Sequence, residues 1–159
     1  MGESRIPQAG EIAPSFKLPA SDGSTIDLSA VTANGRVVLY FYPKADTSGC
    51  TKQACGFRDR AADYKKTGVV VLGVSPDPIE KVVKFSKKYK LNFPLLADAD
   101  HAVCEKYGLW QQKSMYGHKY MGALRTTFII AKGGKIEHVM EKVKPEGHEA
   151  AVLGWIEKN

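Results

Sequence analysis

The sequence predicts an α/β domain with a mixed central sheet, helices on both faces and an N-terminal β-hairpin. Three observations carry this. Two continuous apolar runs, Val37-Val38-Leu39-Tyr40-Phe41-Tyr42 and Val69 to Val74, have the β-branched and aromatic character of strands buried on both sides. Amphipathic helical stretches follow each of them. Near the end, Thr126 to Ala131 and the alternating Ile136 to Met140 flank Gly133-Gly134, which reads as a hairpin. Strands alternating with helices, then a terminal hairpin and helix, make a sheet with both parallel and antiparallel pairs.

Taken in order, residues 1–14 are polar, with Pro7, Gly10 and Pro14, and predict a loose leading arm, taken as 1–10 of a single domain over 1–159. Phe16-Lys17-Leu18 and Thr25-Ile26-Asp27-Leu28 alternate around the turn Asp22-Gly23 and form the first hairpin. Asn34-Gly35 is a further turn into the strand over 36–42, which stops at Pro43. Residues 51–66 place Ala54, Phe57, Ala61 and Tyr64 on one helical face, and Gly68 ends that helix behind the basic pair Lys65-Lys66. Pro76 and Pro78 open a helix with Ile79, Val82, Val83, Ser86 and Tyr89 on one stripe. Phe93 to Leu96 is a short strand. Asp98 to Asp100 cap a helix over 99–107 with Ala99, Ala102, Val103 and Tyr107 inward. Residues 108–122 carry aromatics and glycines without a clear period and are an irregular loop or hairpin; the last helix covers 147–157.

A chain of 159 residues is long enough to bury a core without disulfide staples. Its 43% hydrophobic and 25% charged residues are ordinary for a soluble globular protein. No apolar run approaches the ~20 residues that span a bilayer, and the first residues lack the apolar segment of a secretory signal. The net charge of +6 is spread over lysine pairs such as Lys65-Lys66 and Lys87-Lys88 with acids interleaved, the pattern of solvated helix faces and not of a nucleic-acid surface. Three widely spread cysteines do not make a secreted disulfide framework and suit a reducing cytoplasm with functional thiols. Cys50 and Cys55, with four residues between them and no nearby histidine, have poor metal-ligand spacing. The four histidines, His101, His118, His138 and His148, are dispersed and read as surface residues, so no metal and no cofactor is expected.

The stretch from Val38 to Cys55 has the strongest chemical character. A buried strand stops, a short polar loop follows, and Cys50 arrives at the start of a helix. Helix N-termini expose unpaired N–H groups and the positive end of the macrodipole, and both favour an anion such as a thiolate. That matters because an unperturbed cysteine, with a pKa of about 8.5, is only slightly ionised at neutral pH. A cysteine in a helix is ordinarily a small inert hydrophobe, but the polar residues Thr47, Ser48 and Gly49 just before Cys50 argue against burial.

Pro43-Lys44-Ala45-Asp46-Thr47-Ser48-Gly49-Cys50 resembles the peroxiredoxin frame of proline, three residues, threonine or serine, two residues, cysteine. The extension Thr51-Lys52-Gln53-Ala54-Cys55 resembles the peroxiredoxin Q branch, also called bacterioferritin-comigratory protein. So do Leu95-Leu96-Ala97-Asp98, the stretch from Met115 to Gly122, and Arg125-Thr126-Thr127-Phe128. The likeness covers residues 9–157 and implies a thioredoxin-like fold. It implies a thiol-dependent peroxidase acting on hydrogen peroxide and small organic hydroperoxides, with thioredoxin or a similar dithiol protein as reductant; an intramolecular resolving cysteine would remove the need for a dimer, so a monomer is expected. Carried over residue by residue, Cys50 is the peroxidatic nucleophile and Cys55 the resolving thiol. Thr47 places its hydroxyl beside the sulfur, Pro43 shields it, and Arg125 donates to sulfur and peroxide. Ala45 and Ser48 stand where the branch commonly has an acidic residue and a proline, which predicts a less rigid loop before Cys50.

Other readings stay open. Thr47 is also a plausible helix N-cap, Pro43 a strand stop, Arg125 a surface charge and Cys55 a small buried residue. Cys104 is a core residue or an alternative resolving thiol. On a helix, five residues rise about 7.5 Å and separate the Cα atoms by roughly 9 Å, whereas a disulfide wants about 4.4–6.8 Å. A Cys50–Cys55 bridge therefore requires the first turns to unwind, and Gly56 weakens the helix there by ~1 kcal/mol relative to alanine. Two further function classes compete: a disulfide oxidoreductase, which lacks its C-x-x-C, and a non-catalytic redox sensor or holdase.

Overall fold

The computed structural model describes residues 5–159. Its centre is a sheet of strands β3 (Val37–Phe41), β4 (Val70–Ser75), β5 (Leu95–Ala97), β8 (Thr126–Ile130) and β9 (Ile136–Met140), ordered β5-β4-β3-β8-β9. β3 pairs in parallel with β4, as does β4 with β5, while β8 runs antiparallel to both β3 and β9. The mixed sheet and the hairpin of β1 (Lys17–Pro19) and β2 (Thr25–Asp27) are as the sequence predicts.

β3 is central because every residue in it is buried, and alternation sends its side chains to two separate cores. Val37, Leu39 and Phe41 join Leu72, Val74, Phe128 and Ile130 beneath the N-terminal hairpin and helix α5 (Ala102–Lys106). Val38 and Tyr40 join Val71 and Ile129 on the other face. That face is covered by α2 (Ser48–Asp59), α3 (Ala61–Lys66), α4 (Ile79–Lys88) and α6 (His148–Lys158), which contribute Phe57, Tyr64, Phe85 and Leu153 among others. Cys50 lies in this second core and Cys104 in the first, so the sheet separates them.

Several local expectations change. Of the loose arm expected over 1–10, residues 1–4 lie outside the described residues. From Pro7, which is buried, the chain is docked. The Gly10 N–H donates to the Ile136 carbonyl, the Ile136 N–H to that of Glu11 and the Ala13 N–H to that of Gly134. Helix α1 (Leu28–Asn34) follows β2 directly and was not expected; Asp27 caps it by accepting from the Ser29 N–H at 3.1 Å. The helix read over 51–66 begins earlier, at Ser48, and divides at Arg60 into α2 and α3. No proline or glycine marks that division, so the periodicity reads straight through it. α5 is shorter than 99–107. Both Asp98 carboxylate oxygens are taken up by the N–H groups of Val103 (3.1 Å) and Cys104 (2.8 Å), which starts the helix at Ala102 and leaves Ala99 and Ala102 exposed. Residues 108–122 resolve into a two-stranded ribbon, β6 (Trp110–Met115) with β7 (His118–Ala123). His148, expected at the surface, is buried.

The closest packing within the sheet is at Gly73 of β4. A Cβ built there would lie 2.8 Å from Tyr40 Cζ and 2.9 Å from Leu95 Cδ2. Both neighbours are themselves fully buried and have nowhere to move. Gly73→Ala is expected to lower unfolding free energy by about 1–3 kcal/mol, read as a fall in the urea midpoint without change of slope.

Candidate active site

The β3–β8 pairing prepares the meeting of Cys50 and Arg125, which are 75 positions apart. Phe41 lies opposite Thr126, so the end of β3 that feeds the Pro43–Thr47 loop sits beside the residue that enters β8, which is Arg125. Alternation along β8 puts Arg125 on the same face as Thr127 and Ile129, and Ile129 belongs to the core that holds Cys50. Arg125 Nη2 donates to Cys50 Sγ at 3.3 Å, and Nη1 donates to Gln53 Oε1 at 2.6 Å.

Cys50 is the third residue of α2, behind the N-cap Thr47. The sulfur thus meets both the N-terminal end of a helix and an arginine. Contrary to the exposure expected from its polar neighbours, Cys50 is only 1% exposed. Thr47, Lys44 and Asp46 are themselves exposed, so the polar loop forms the outer lip and the sulfur lies beneath it. Gly49 makes that closure possible. A Cβ there would lie 3.0 Å from Pro145 Cγ and 3.2 Å from Arg125 Nη2, so a side chain would force away a covering proline and the guanidinium together.

The loop is tied down at three points, which answers the expectation of slackness from Ser48. The Ala45 N–H donates to buried Asp77 Oδ2 at 2.8 Å. Asp46, in the left-handed region at φ 61°, accepts from Lys88 Nζ at 2.9 Å and from the Tyr89 hydroxyl at 2.7 Å. These contacts hold the Asp46 carboxyl below its ordinary range, the Tyr89 bond first. Thr47 occupies the N-cap position of α2, but its side chain is turned elsewhere. Its hydroxyl donates to the Lys44 carbonyl at 2.9 Å and makes no capping bond. Pro43 is half-buried at the strand exit.

Cys55 is half-buried and lies in the same unbroken helix as Cys50; all three cysteines are free. Cys104 is buried across the sheet, where burial first and then Asp98 push its thiol far up. The core reading of Cys104 is therefore the one the fold accommodates. Among the described residues no three His, Cys, Asp or Glu side chains gather as a metal site would require.

Three neighbours escaped sequence reasoning. Gln53 is fully buried, three residues after Cys50. Lys113 of β6 donates to the Ala123 carbonyl at 2.9 Å, and burial first, then Arg125, pulls its amine below the usual lysine range while Cys50 opposes that. His148 opens α6, shares a 2.7 Å hydrogen bond with Thr127 Oγ1 and sets its ring edge against Phe57 at 5.9 Å. For Gln53 a signal existed: a polar residue on the inward side of a helix, next to Ala54 and Phe57. Lys113 and His148 carry none, because only the tertiary fold brings them near Arg125.

The AhpC/TSA family model matches residues 9–139. The chain is 49% identical over 152 residues to the peroxiredoxin Bcp of Escherichia coli, covering 96% of this chain and 97% of that one. It is 48% identical over 147 residues to a putative peroxiredoxin of Coxiella burnetii, covering 92% and 97%. Among solved structures, the Xanthomonas campestris bacterioferritin comigratory protein, described with its alkyl peroxide reduction activity, superposes at TM-score 0.85 with 32% identity over 96% of each chain. A Mycobacterium tuberculosis protein, BcpB, superposes at 0.84 with 34% identity over 95% and 97%. The expected thioredoxin-like fold holds.

Burial first, then the Arg125 charge, depresses His148 to about 4 from its ordinary 6.5. The unfolded chain thus binds this proton more readily than the folded one. The stabilisation is complete above pH 6.5 and is lost as pH falls through the window down to about 4. Between pH 7 and 4.5, wild type should lose about 2–3 kcal/mol more unfolding free energy than His148→Gln; paired urea titrations at the two pH values measure the difference.

Proposed function

The chain belongs to the AhpC/TSA family, in its Bcp/peroxiredoxin Q branch, and from that premise we propose a thiol peroxidase that cycles through a sulfenic acid and an intramolecular disulfide. The observation that carries the reading is the Arg125 guanidinium at 3.3 Å from Cys50 Sγ, at the N-terminus of α2. A thiolate there attacks one peroxide oxygen. The S–O bond forms as the O–O bond breaks, and the other oxygen leaves as water or alcohol after taking up a proton. An arginine stays charged and presents several donors in one plane, so it can face both the sulfur and the charge growing on the leaving oxygen. Burial under the loop and Pro145 keeps competing water away from that charge. Substrates are hydrogen peroxide and small organic hydroperoxides, by likeness to the Xanthomonas relative described with alkyl peroxide reduction.

In the second step the Cys55 thiol attacks the sulfenic sulfur, water leaves and a disulfide forms. α2 is unbroken from Ser48 to Asp59, so the roughly 9 Å separation of an ideal helix must shorten by unwinding around 50–55. Thioredoxin or a similar dithiol protein then supplies two electrons by thiol–disulfide exchange and restores both thiols. An intramolecular bridge needs no second subunit, so the working unit is a monomer. A reducing cytoplasm supplies the reductant. Pro43 and Thr47 act through the loop, Pro43 as a cover and Thr47 by turning its hydroxyl from Lys44 toward bound peroxide.

Peroxide-driven NADPH oxidation with thioredoxin and thioredoxin reductase tests this. Steady turnover is expected in wild type and in Cys104→Ala, and none in Cys50→Ser. Cys55→Ser should complete one fast turnover and stall. A wild type that oxidises once and stops would instead make the protein a sensor. Cycling retained in Cys55→Ser would hand resolution to an external thiol.

A further inference from the structure

We propose that Tyr89 is a positioning residue for the reactive segment: it holds the chain on both sides of Cys50 and Cys55 and so sets how often α2 opens for resolution. This deepens the reading of Cys50 as nucleophile and Cys55 as resolving thiol, and rests on it. The tyrosine belongs neither to the active-site loop nor to α2. It is the C-cap of α4, whose Val82 and Phe85 are buried in the second core, so the holding element is itself fixed. Its hydroxyl donates to Asp46 Oδ1 at 2.7 Å, one residue before the N-cap of α2. Its carbonyl accepts from Arg58 Nη1 at 2.6 Å, in the last turn of the same helix. Both cysteines lie between these two points.

Each hold has a local cause. Lys90, in the left-handed region at φ 52°, ends α4 directly after Tyr89. The last carbonyls of a helix lack intrahelical partners and carry the negative end of its dipole, which suits a guanidinium. Asp46 is also left-handed, at φ 61°, a backbone state that side chains adopt at a cost, asparagine and aspartate least. Its carboxylate accepts from both the Tyr89 hydroxyl and Lys88 Nζ, the latter at 2.9 Å, and these charge-assisted bonds offset that cost. Asn92 adds to the far hold by donating to the Arg58 carbonyl at 3.2 Å. Residues 88–92 thus grip both margins of α2.

The sulfenic acid formed on Cys50 has two fates. In one, the Cys55 thiol attacks it: an S–S bond forms, the S–O bond breaks and the oxygen leaves as water with the thiol proton. In the other, the sulfenic sulfur attacks a second peroxide: a further S–O bond forms, the O–O bond breaks, water leaves and a sulfinic acid remains. The first fate needs α2 open. The second proceeds with α2 closed and Arg125 still at the sulfur. A hydroxyl that holds Asp46 favours the closed helix, and so shifts the balance toward the second. Asp46 is 41% exposed, so the bond weighs as a surface contact does and not as a buried pair. The Tyr89 ring sits edge-on to Phe85 at 5.5 Å, a contact that phenylalanine would keep. Removing the hydroxyl alone therefore changes opening and spares the packing.

The test compares wild type, Tyr89→Phe, Asp46→Asn and the double variant by two readouts. One is amide hydrogen exchange of the reduced protein, followed by mass spectrometry on peptides from α2, β3 and α6. The other is a single turnover with hydrogen peroxide at pH 7, quenched and read on the Cys50 peptide as sulfenic, disulfide or sulfinic sulfur. Tyr89→Phe should speed exchange over 51–57 about fivefold and leave β3 and α6 unchanged. Disulfide formation should rise, and the sulfinic fraction at fixed peroxide fall, by about the same factor, while Cys50 oxidation stays within about twofold. Asp46→Asn, whose side chain tolerates the left-handed backbone, should act in the same direction. The double variant should exceed Tyr89→Phe by less than about twofold, because the two residues act through one bond. Wild-type exchange over 51–57, or wild-type or slower disulfide formation, in Tyr89→Phe overturns the proposal. So does exchange that quickens equally in β3 and α6, which marks a loss of global stability. Effects that multiply in full in the double variant overturn the coupling to Asp46. Hydrogen exchange needs no peroxidase chemistry, so a wild type that forms no disulfide would sink the functional reading while exchange over 51–57 still judges the hold on α2.

Discussion

Everything at the site depends on one register: Phe41 of β3 opposite Thr126 of β8. A slip of one residue would turn Arg125 to the other face of the sheet, into the core that holds Cys104. The register is secured by burial. β3 is covered on both faces, and each strand neighbour presents apolar side chains that fit only one alternation. A strand in the middle of the sheet thus places the helix that carries the sulfur, and the strand beside it places the cation.

In the proposed cycle the same helix must be well formed to present a thiolate and weak enough to open for a disulfide. Those demands are met at different points along α2. Its far end is held firmly: Phe57 stacks on Tyr40 at 4.8 Å, Arg58 Nη1 donates to the Tyr89 carbonyl at 2.6 Å, and Asn92 Nδ2 donates to the Arg58 carbonyl at 3.2 Å. The near end buries only the small side chains of Cys50 and Ala54 in that core, and three further contacts hold it. Arg125 grips Cys50 and Gln53, Pro145 lies over Gly49, and the Glu149 carboxylate presses on Gly56. Phe57 is a natural fixed point for unwinding, because its ring is fully buried and burying such a side chain stabilises by about 1.5–3 kcal/mol. Gly56, beside it, takes on a second meaning. A Cβ there would meet Glu149 Oε2 at 2.6 Å, so the residue that loosens the helix is also the one that lets α6 approach it.

The sheet, the two hairpins and the long helices were legible because hydrophobic period and turn residues decide them locally. Helix α1 was lost because its first residue, Leu28, also completes an alternating strand pattern, and only the Asp27 cap tips the balance. The position of Cys50 was legible from the loop and the helix start, but its burial was not. The polar residues before it do face water, and it is Pro145, 95 positions away, that lies over the adjacent Gly49. Arg125 could be picked out only by resemblance, since nothing in its own neighbourhood distinguishes it from a surface charge. His148 was misread for the same reason in reverse: the Thr127 hydroxyl that accommodates it belongs to another strand.

The sheet also bears on the choice of resolving thiol. Cys50 and Cys104 lie in cores on opposite faces, so joining them would require one helix to pass around a sheet edge or the sheet to part. Either would forfeit burial of several large side chains, each worth about 1.5–3 kcal/mol. Joining Cys50 to Cys55 disrupts the turns of α2 on either side of Gln53, most of whose lost backbone hydrogen bonds water can replace at about 1 kcal/mol each. The opening also exposes the orphaned Gln53 amide to solvent, which returns part of that cost. Of the two rearrangements, the second gives up less burial, and it is the one the proposed cycle uses.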